Sequence, residues 1–418
     1  MRLEKSLEKV REELRFALAR KPAPSADSIL QRIRSSTKRK AVLAGSLAKG
    51  TYLPDDIDAD IFVYFDEKEP QEKMLPEIEA IAKKAFPEAK REKKFAKHPY
   101  LSLVLKGMKV ELVPVYDVPI GKVKSAVDRS PFHTEYINSH LNDSQKDDVR
   151  ILKKLLKAHL LYGAEIKYGG FSGYLAELLI LHYKSLSNLI RQAAFWKRVF
   201  IDMENYHKGS NPFDSPFVVI DPVDRSRNVA AAVSEHNFYR FSLLARAFLK
   251  NPDLSFFSAQ KADLSLLKAF YPVFITFKTD AVEDIYISQL NSLGKRIAKA
   301  TGAFDYFAWD EPEPAILLFY TSSKLGGLSI RVGPEISSPE HSEAFSKGKK
   351  VFQLRSRLYA LSFSKLERPE AVVKRFIKPL PNHLFRPKIN AGWGKRFSKA
   401  LQAYAICRSL HLGNKLVK

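Results

Sequence analysis

Apolar and polar positions recur with two different periods along the chain, and the switches between them mark its elements. Leu3, Leu7, Val10, Leu14 and Leu18 return every three to four residues, the spacing of one helix face over residues 1–20. Lys21-Pro22-Ala23-Pro24-Ser25 breaks that helix, and Ser25 or Asp27 can cap a second one running to near Lys40. A strand over 41–45, a Gly45-Ser46 turn with a short helical stretch, and a strand over 57–65 follow. Residues 70–86 predict a helix with Ile78, Ile81 and Ala82 inward. Residues 100–106 and 109–116 alternate with period two, as an antiparallel pair joined at Lys106-Gly107. Residues 27–120 are therefore expected to form a small sheet flanked by helices, α/β in character.

From Asp143 to about Phe248 the period is helical. RILKKLLKAHLLYGAE predicts one amphipathic helix that stops at Gly163, and YLAELLILHYKSLSNLI predicts one apolar, buried helix. FVVI at 217–220 predicts a short strand ending at Asp221-Pro222. The last third returns to strands at PVFITFK and PAILLFYTS, and at residues 350–363 broken into two. Helices separate them at DIYISQLNSLGKRIAKATG and EAVVKRFI, and the end, HLFRPKINAGWGKRFSKAL, is basic and aromatic. The fold class is mixed α+β and multidomain. The expected domains are a sheet domain at 1–140, a mainly helical central domain at 141–258, and an α+β region at 259–418.

Composition narrows this picture. The 418 residues are 45% hydrophobic and 28% charged, the balance of a folded chain with several cores. No apolar run approaches the roughly 18 residues of a membrane span. The N-terminal stretch MRLEKSLEKVREEL is too acidic for a signal peptide, and the single Cys407 excludes an intramolecular disulfide and a cysteine-rich zinc site. Both fit a cytoplasmic protein. Sixty-nine Lys and Arg against 46 Asp and Glu leave a net charge of +23, which predicts a polyanionic partner, above all nucleic acid. A coat of solubilising lysines or a membrane surface are the competing readings.

The chemistry concentrates at GSLAKGTYLPDDIDADIFVYF. Asp58 and Asp60 at i and i+2 among Ile57, Ile61 and Val63 share one face of a strand. Two carboxylates roughly 7 Å apart repel unless a cation lies between them, and Mg²⁺ is the hard cation that joins carboxylates to phosphates. The Gly45-Ser46 turn offers N–H groups and a hydroxyl to a triphosphate, and Lys49 offers charge. The competing reading is a solvated strand face. Glu111 in KVELVPVY is the candidate third carboxylate, since an acid within an apolar strand is costly without a partner; an edge strand facing water would serve as well. Arg129 and His133 surround a Ser-Pro helix start, where phosphate binding and simple capping are equally compatible. Lys153 and Tyr162 sit nine apart on the predicted amphipathic helix, with nothing in the spacing to separate Lys153 from Lys154 or Lys157. Arg227 and Asn228 follow the strand ending at Asp221, where an arginine can meet a base edge or simply form a connection.

Taken together, these stretches resemble the archaeal-type (class I) CCA-adding enzymes, tRNA nucleotidyltransferases of the polymerase-β-like superfamily. The resemblance is carried, in order across residues 45–290, by GSLAKGTYLPDDIDADIFVYF, KVELVPVY, SAVDRSPFH, LLKAHLLYGAEIKYGGFSGYLAELLI, VVIDPVDRSRNVAAAVS and DIYISQL. It implies a polymerase-β-like nucleotidyltransferase domain at the N-terminus, and addition of C, C and A to the 3′ end of tRNA from CTP and ATP without a template. It implies two Mg²⁺ ions on Asp58, Asp60 and Glu111. Ser46, Lys49, His133, Lys153 and Tyr162 would contact the nucleotide, Arg227 would read the base with the RNA backbone, and Tyr174 would lie near the tRNA end. The C-terminal region would grip the acceptor stem and T-loop end, and a homodimer is compatible with the resemblance. Two departures stand out: Glu111 where better-known members have Asp, and Lys49 where some have Arg. A poly(A) polymerase or oligoadenylate synthetase shares the Gly-Ser and Asp-x-Asp signals but not DPVDRSRNVAA. A catalytically silent RNA-binding homologue would not need all three carboxylates.

Overall fold

A computed structural model describes residues 2–20, 26–94, 99–105, 107–125, 127–260, 264–335, 337–347, 350–354, 357–392 and 397–408. The break at 21–25 with its Ser25 cap, Lys106 of the predicted turn, and residues 393–396 of the basic end lie outside the described residues. The chain divides into two compact units, one of Met1–Lys261 with Ile406–Lys418 and one of Ala262–Ala405.

The first unit opens with α1 (Arg2–Arg20) and α2 (Ala26–Ser36). Then come β1 (Ala41–Ala44), α3 (Gly45–Lys49), β2 (Asp58–Phe65), α4 (Gln71–Ala85), β3 (Lys90–Lys94), β4 (Tyr100–Leu105) and β5 (Met108–Tyr116). The strands form one mixed sheet in the order β1-β2-β5-β4-β3, with β2 and β5 parallel and the other pairs antiparallel. Alternation decides its faces. Ala59, Ile61, Val63, Val110 and Leu112 join Ile29, Ile33, Ile78 and Ile81 of α2 and α4 in one core. The opposite face holds only a small apolar cluster of Ala44, Phe62, Val113 and Val115, and leaves room for polar groups.

Next are α5 (Ser130–His140), α6 (Asp143–Ala158), α7 (Gly173–Tyr183), α8 (Leu186–Ala193), β6 (Val199–Ile201), β7 (Phe217–Asp221), β8 (Asp224–Asn228) and α9 (Glu235–Lys250). Asn142 and Gln145 close a capping box that starts α6, and Ser172, Ser185 and Ser234 cap α7, α8 and α9. The expected strand at 217–220 is β7, which joins β6 and β8 in a three-stranded sheet. Two expectations are corrected. The amphipathic helix ends at Ala158: Leu160 takes a positive φ of 53°, and residues 161–163 bond across to 170–171 (Phe171 N–H to Leu161 O at 2.7 Å) instead of along the helix. Tyr162 therefore leaves the helix that carries Lys153. The apolar segment is two helices, split where Lys184 adopts φ 69° and Ser185 starts a new cap.

The second unit contains β9 (Tyr271–Thr279), α10 (Glu283–Thr301), β10 (Asp305–Trp309), β11 (Ala315–Tyr320), β12 (Leu325–Glu335), α11 (Pro339–Ser346), β13 (Lys350–Leu354), β14 (Arg357–Glu367), α12 (Pro369–Phe376) and β15 (Leu384–Ala391), and α13 (Ser398–Arg408) begins in it. A four-stranded sheet, β10-β11-β9-β15, packs Val273, Ile275, Ile316 and Leu318 against Ile287, Leu290, Ile297 and Val373 of α10 and α12. On its other face Phe397 stacks on Phe274 at 4.1 Å and Tyr404 on Phe319 at 4.0 Å. A separate antiparallel sheet runs β12-β14-β13. Both units mix α and β, as the pattern predicted.

Candidate active site

The register of β2 on β5 pairs Asp60 with Glu111 and Asp58 with Lys109. All three acids therefore leave the sheet on the face away from α2 and α4. Burial first, then the charges of Glu111 and Asp58, push the Asp60 carboxyl up to about 7. Asp58 is also raised, by burial, with Lys109 opposing. Lys109 forms an ion pair with Glu111 and reaches within 4.0 Å of Asp58. As the side chains stand, no group of three His, Cys, Asp or Glu among the described residues is gathered closely enough to hold a metal, and Lys109 is paired with Glu111.

The donors still suit a hard cation. Three carboxylates on one face with a single lysine between them carry excess negative charge, and oxygen donors are what Mg²⁺ takes. The backbone makes room for this: a Cβ on Gly45, which has φ +71°, would stand 1.8 Å from Asp60 Oδ2. The glycine is required for the carboxylate to lie where it does. α3 is only five residues long and ends at Gly50 in the left-handed conformation.

Lys49, on α3, is buried against Glu177 of α7, which is not among the sequence-predicted site residues. Its ammonium donates to Glu177 Oε2 at 2.5 Å, and Thr51 Oγ1 donates to Glu177 Oε1 at 2.5 Å. Lys153 Nζ donates to Thr51 O at 3.0 Å and lies 3.6 Å from Glu177 Oε1. Burial alone would raise the Glu177 carboxyl, yet Lys49 and Lys153 hold it below the ordinary carboxylate range. Burial brings Lys153 down to about 8, against the attraction of Glu177. Tyr162 reaches the same place from its new strand-like position, since a Cβ on Gly173 would meet its hydroxyl at 2.9 Å and Lys153 Nζ at 3.5 Å.

A second buried acid, Asp221 at the end of β7, gathers another three predicted residues. Its Oδ2 accepts from His133 Nε2 at 2.9 Å and from Arg227 at 2.7 Å, and its Oδ1 accepts from the Tyr174 hydroxyl at 3.2 Å. The rings of His133 and Tyr174 stack at 3.8 Å. Burial lowers the His133 pKa and favours the neutral ring. Tyr174 and Glu177 lie three apart on α7, and Lys49 Nζ is 5.7 Å from the Tyr174 ring centre, so the two clusters adjoin.

A cavity of about 300 Å³ is lined by Gly45, Lys49, Asp60, Glu111, His133 and Tyr174 among others. A second, of about 660 Å³, is lined by Arg129, Ser172, Asp224, Arg227 and Asn228 among others, with Arg129 bonded to Asp224 at 2.8 Å. Ser46, Asp58, Lys153 and Tyr162 are not among the residues lining either. Glu177 had a signal in the sequence, an acid inside the apolar run YLAELLILHY, which was the argument applied to Glu111.

The class of the protein is that of the nucleotidyltransferases. Residues 26–133 match the family model of the nucleotidyltransferase domain, and residues 147–258 that of the second domain of tRNA nucleotidyltransferases. The chain is 36% identical to the CCA-adding enzyme of Methanocaldococcus jannaschii over 77% of either chain. It is 35% identical to that of Methanosarcina acetivorans, over 72% of this chain and 70% of the other. It is 32% identical to that of Saccharolobus shibatae, over 84% of this chain and 87% of the other. The chain belongs to the CCA-adding enzyme family.

Proposed function

We propose that the chain adds C, C and A to the 3′ end of tRNA from CTP and ATP, without a nucleic-acid template, releasing pyrophosphate. The observation that carries this reading is the pairing of Asp60 with Glu111 across β2 and β5, in a cavity shared with Lys49 and His133. The family membership and the net charge of +23 support it. The tRNA 3′-hydroxyl attacks the α-phosphorus in line with the departing pyrophosphate, and the protein contributes position and charge. Asp58, Asp60 and Glu111 would hold the two magnesium ions, which would supply activation of the attacking hydroxyl and charge stabilisation of the leaving pyrophosphate. Ser46, Lys49, His133, Lys153 and Tyr162 contact the nucleotide, Arg227 reads its base together with the RNA backbone, and Tyr174 lies near the tRNA end. Residues 1–140 carry the chemistry, 141–258 recognise the base and the RNA end, and 259–418 hold the acceptor stem and T-loop end by shape and backbone contacts. The protein acts in the cytoplasm, as a monomer or a homodimer.

The test is a tRNA lacking its CCA end, incubated with labelled CTP and ATP with and without magnesium. Three nucleotides in the order C, C, A, and none without the metal, are the expected products. A long tail or an ATP-only tail would overturn the reading.

A further inference from the structure

Glu177 lies behind Lys49, which lines the smaller cavity together with Asp60 and Glu111. Its side chain is fully buried on α7. Donors from two other segments reach it. Lys49 of α3 donates to Oε2, Thr51 of the following loop donates to Oε1 at 2.5 Å, and Lys153 of α6 stands 3.6 Å from Oε1. Lys153 also donates to Thr51 O at 3.0 Å. The glutamate thus ties the turn after β1 to α6 and α7, all within the first unit. Gly173 precedes it by one turn on the same helix face. A Cβ there would stand 3.5 Å from Lys153 Nζ, so the glycine lets the lysine lie close against α7.

Two ammonium groups share one carboxylate in a place closed to water, so the cluster carries a surplus of positive charge. A buried charge without a counter-charge is costly, and the surplus suits an anion on the open side of Lys49. Removing the carboxylate has two opposed consequences. As a negative charge near the cavity, Glu177 repels phosphate, and its loss would tighten nucleotide binding. As the group that fixes two ammoniums, its loss leaves them facing each other in a dry site, where one swings away or gives up its proton. Lys153 is the more vulnerable. Burial has already brought it down to about 8, with Glu177 supporting its charge and Lys49 and Lys157 opposing it. Lys49 stands between Glu177 and the cavity and offsets its field there, so the second consequence outweighs the first.

We infer that Glu177 is a positioning residue for the triphosphate: it holds the ammonium groups of Lys49 and Lys153 together and in place at the back of the cavity, without touching the nucleotide itself. The inference rests on the reading above that these two lysines meet the nucleotide. Its effect is the same for CTP and ATP, which share the triphosphate.

The test measures kcat and KM for CTP and ATP, and KM for tRNA lacking its CCA end, in wild type, Glu177→Gln and Glu177→Asp. The affinity for inorganic tripolyphosphate, read by calorimetry, adds a probe without a base or a reaction. E177Q is expected to raise KM for both nucleotides by about tenfold, the scale of one hydrogen bond to a charged group. It should weaken tripolyphosphate by the same factor and leave KM for tRNA unchanged. A lower kcat with unchanged KM, as from a smaller folded fraction, would overturn the inference. So would a lower nucleotide KM, the sign expected of a bare negative charge. E177D keeps the counter-charge, and with it the fold, but its carboxylate is one methylene short of the two lysines. It too is expected to raise nucleotide KM, and a wild-type KM in E177D would overturn the inference. A wild-type protein that adds no C, C, A, yet binds tripolyphosphate more tightly than E177Q and E177D do, would instead indict the functional reading.

Discussion

The first unit gathers two sets of acids, one on its sheet and one in its helical half, and it treats them in opposite ways. On the sheet, Asp58, Asp60 and Glu111 share one face with one lysine among them, and the Asp60 carboxyl is driven up to about 7. In the helical half, Glu177 and Asp221 are buried more completely, yet both carboxyls stay below the ordinary range. Desolvation pushes Asp58, Asp60, Glu177 and Asp221 alike upward, so partners decide the outcome. Glu177 has two ammonium groups and a hydroxyl, and Asp221 has an imidazole, a guanidinium, a phenol and a backbone N–H. Asp60 has other carboxylates. A buried acid that is fully partnered organises the side chains around it. One surrounded by its own kind is unfinished without a cation from outside.

The largest effect expected from breaking this contrast is on catalysis. Asp60→Ala, or Asp58→Ala, should slow single-turnover addition by at least about 10³-fold, the scale of losing a preorganised electrostatic contact. tRNA affinity by gel shift should barely change. Substantial turnover in either variant would remove these acids from the reaction.

Glu177→Gln should act on stability. It leaves Lys49 and Lys153 buried without their counter-charge, and breaking a buried pair costs about 3 kcal/mol or more. Urea unfolding would report it, with or without magnesium.

The pH dependence sharpens the same point. Lys153 is brought down to about 8, from the ordinary lysine value of 10.5. The unfolded chain binds this proton more tightly than the folded one, so folding loses stability as pH falls from about 10.5 toward 8. For function the sign is reversed, because only protonated Lys153 attracts a triphosphate. KM for CTP should rise as pH passes 8, and a flat KM between pH 7 and 9 would separate Lys153 from the nucleotide.

Lys109→Met should give the smallest change. The lysine occupies part of the space between Glu111 and Asp58 and is half-exposed, so its removal should lower the magnesium concentration for half-maximal activity by a few-fold, on the order of 1 kcal/mol. An unchanged midpoint would mean that it does not compete with the metal.

Much of the catalytic sheet was legible because its period is two and its residues are β-branched. From that pattern Asp58 and Asp60 fall on one face, and Glu111 stands out as an acid among valines. Register was not legible, since the parallel pairing of Asp60 with Glu111 is set by packing against α2 and α4, far apart in sequence. The helical half was read less well. An apolar run carries no sign of a break at Lys184, where one residue in a left-handed conformation and a serine cap end one helix and start another. Gly163 reads as the stop of a helix that carries Tyr162, whereas hydrogen bonds to residues 170–171 draw the chain off at Ala158. Glu177 is legible as an acid inside an apolar run, but its partners and those of Asp221 are not, since they come from segments as much as 128 residues away and only folding brings the donors to them.

The contrast predicts opposite signs for two conservative changes, so the most direct test is urea unfolding of wild type, Asp60→Asn and Glu177→Gln at pH 8, with and without magnesium. Asp60 has a raised folded pKa, so its favourable term is present below about 4, is lost as pH rises through about 7, and at pH 8 leaves a cost. Asp60→Asn should therefore stabilise the metal-free protein by about 1–3 kcal/mol and abolish its stabilisation by magnesium. Glu177→Gln should destabilise it and keep the magnesium response. If Asp60→Asn destabilises the metal-free protein as Glu177→Gln does, or if magnesium stabilises it as it does wild type, the distinction between the two sets of acids is contradicted.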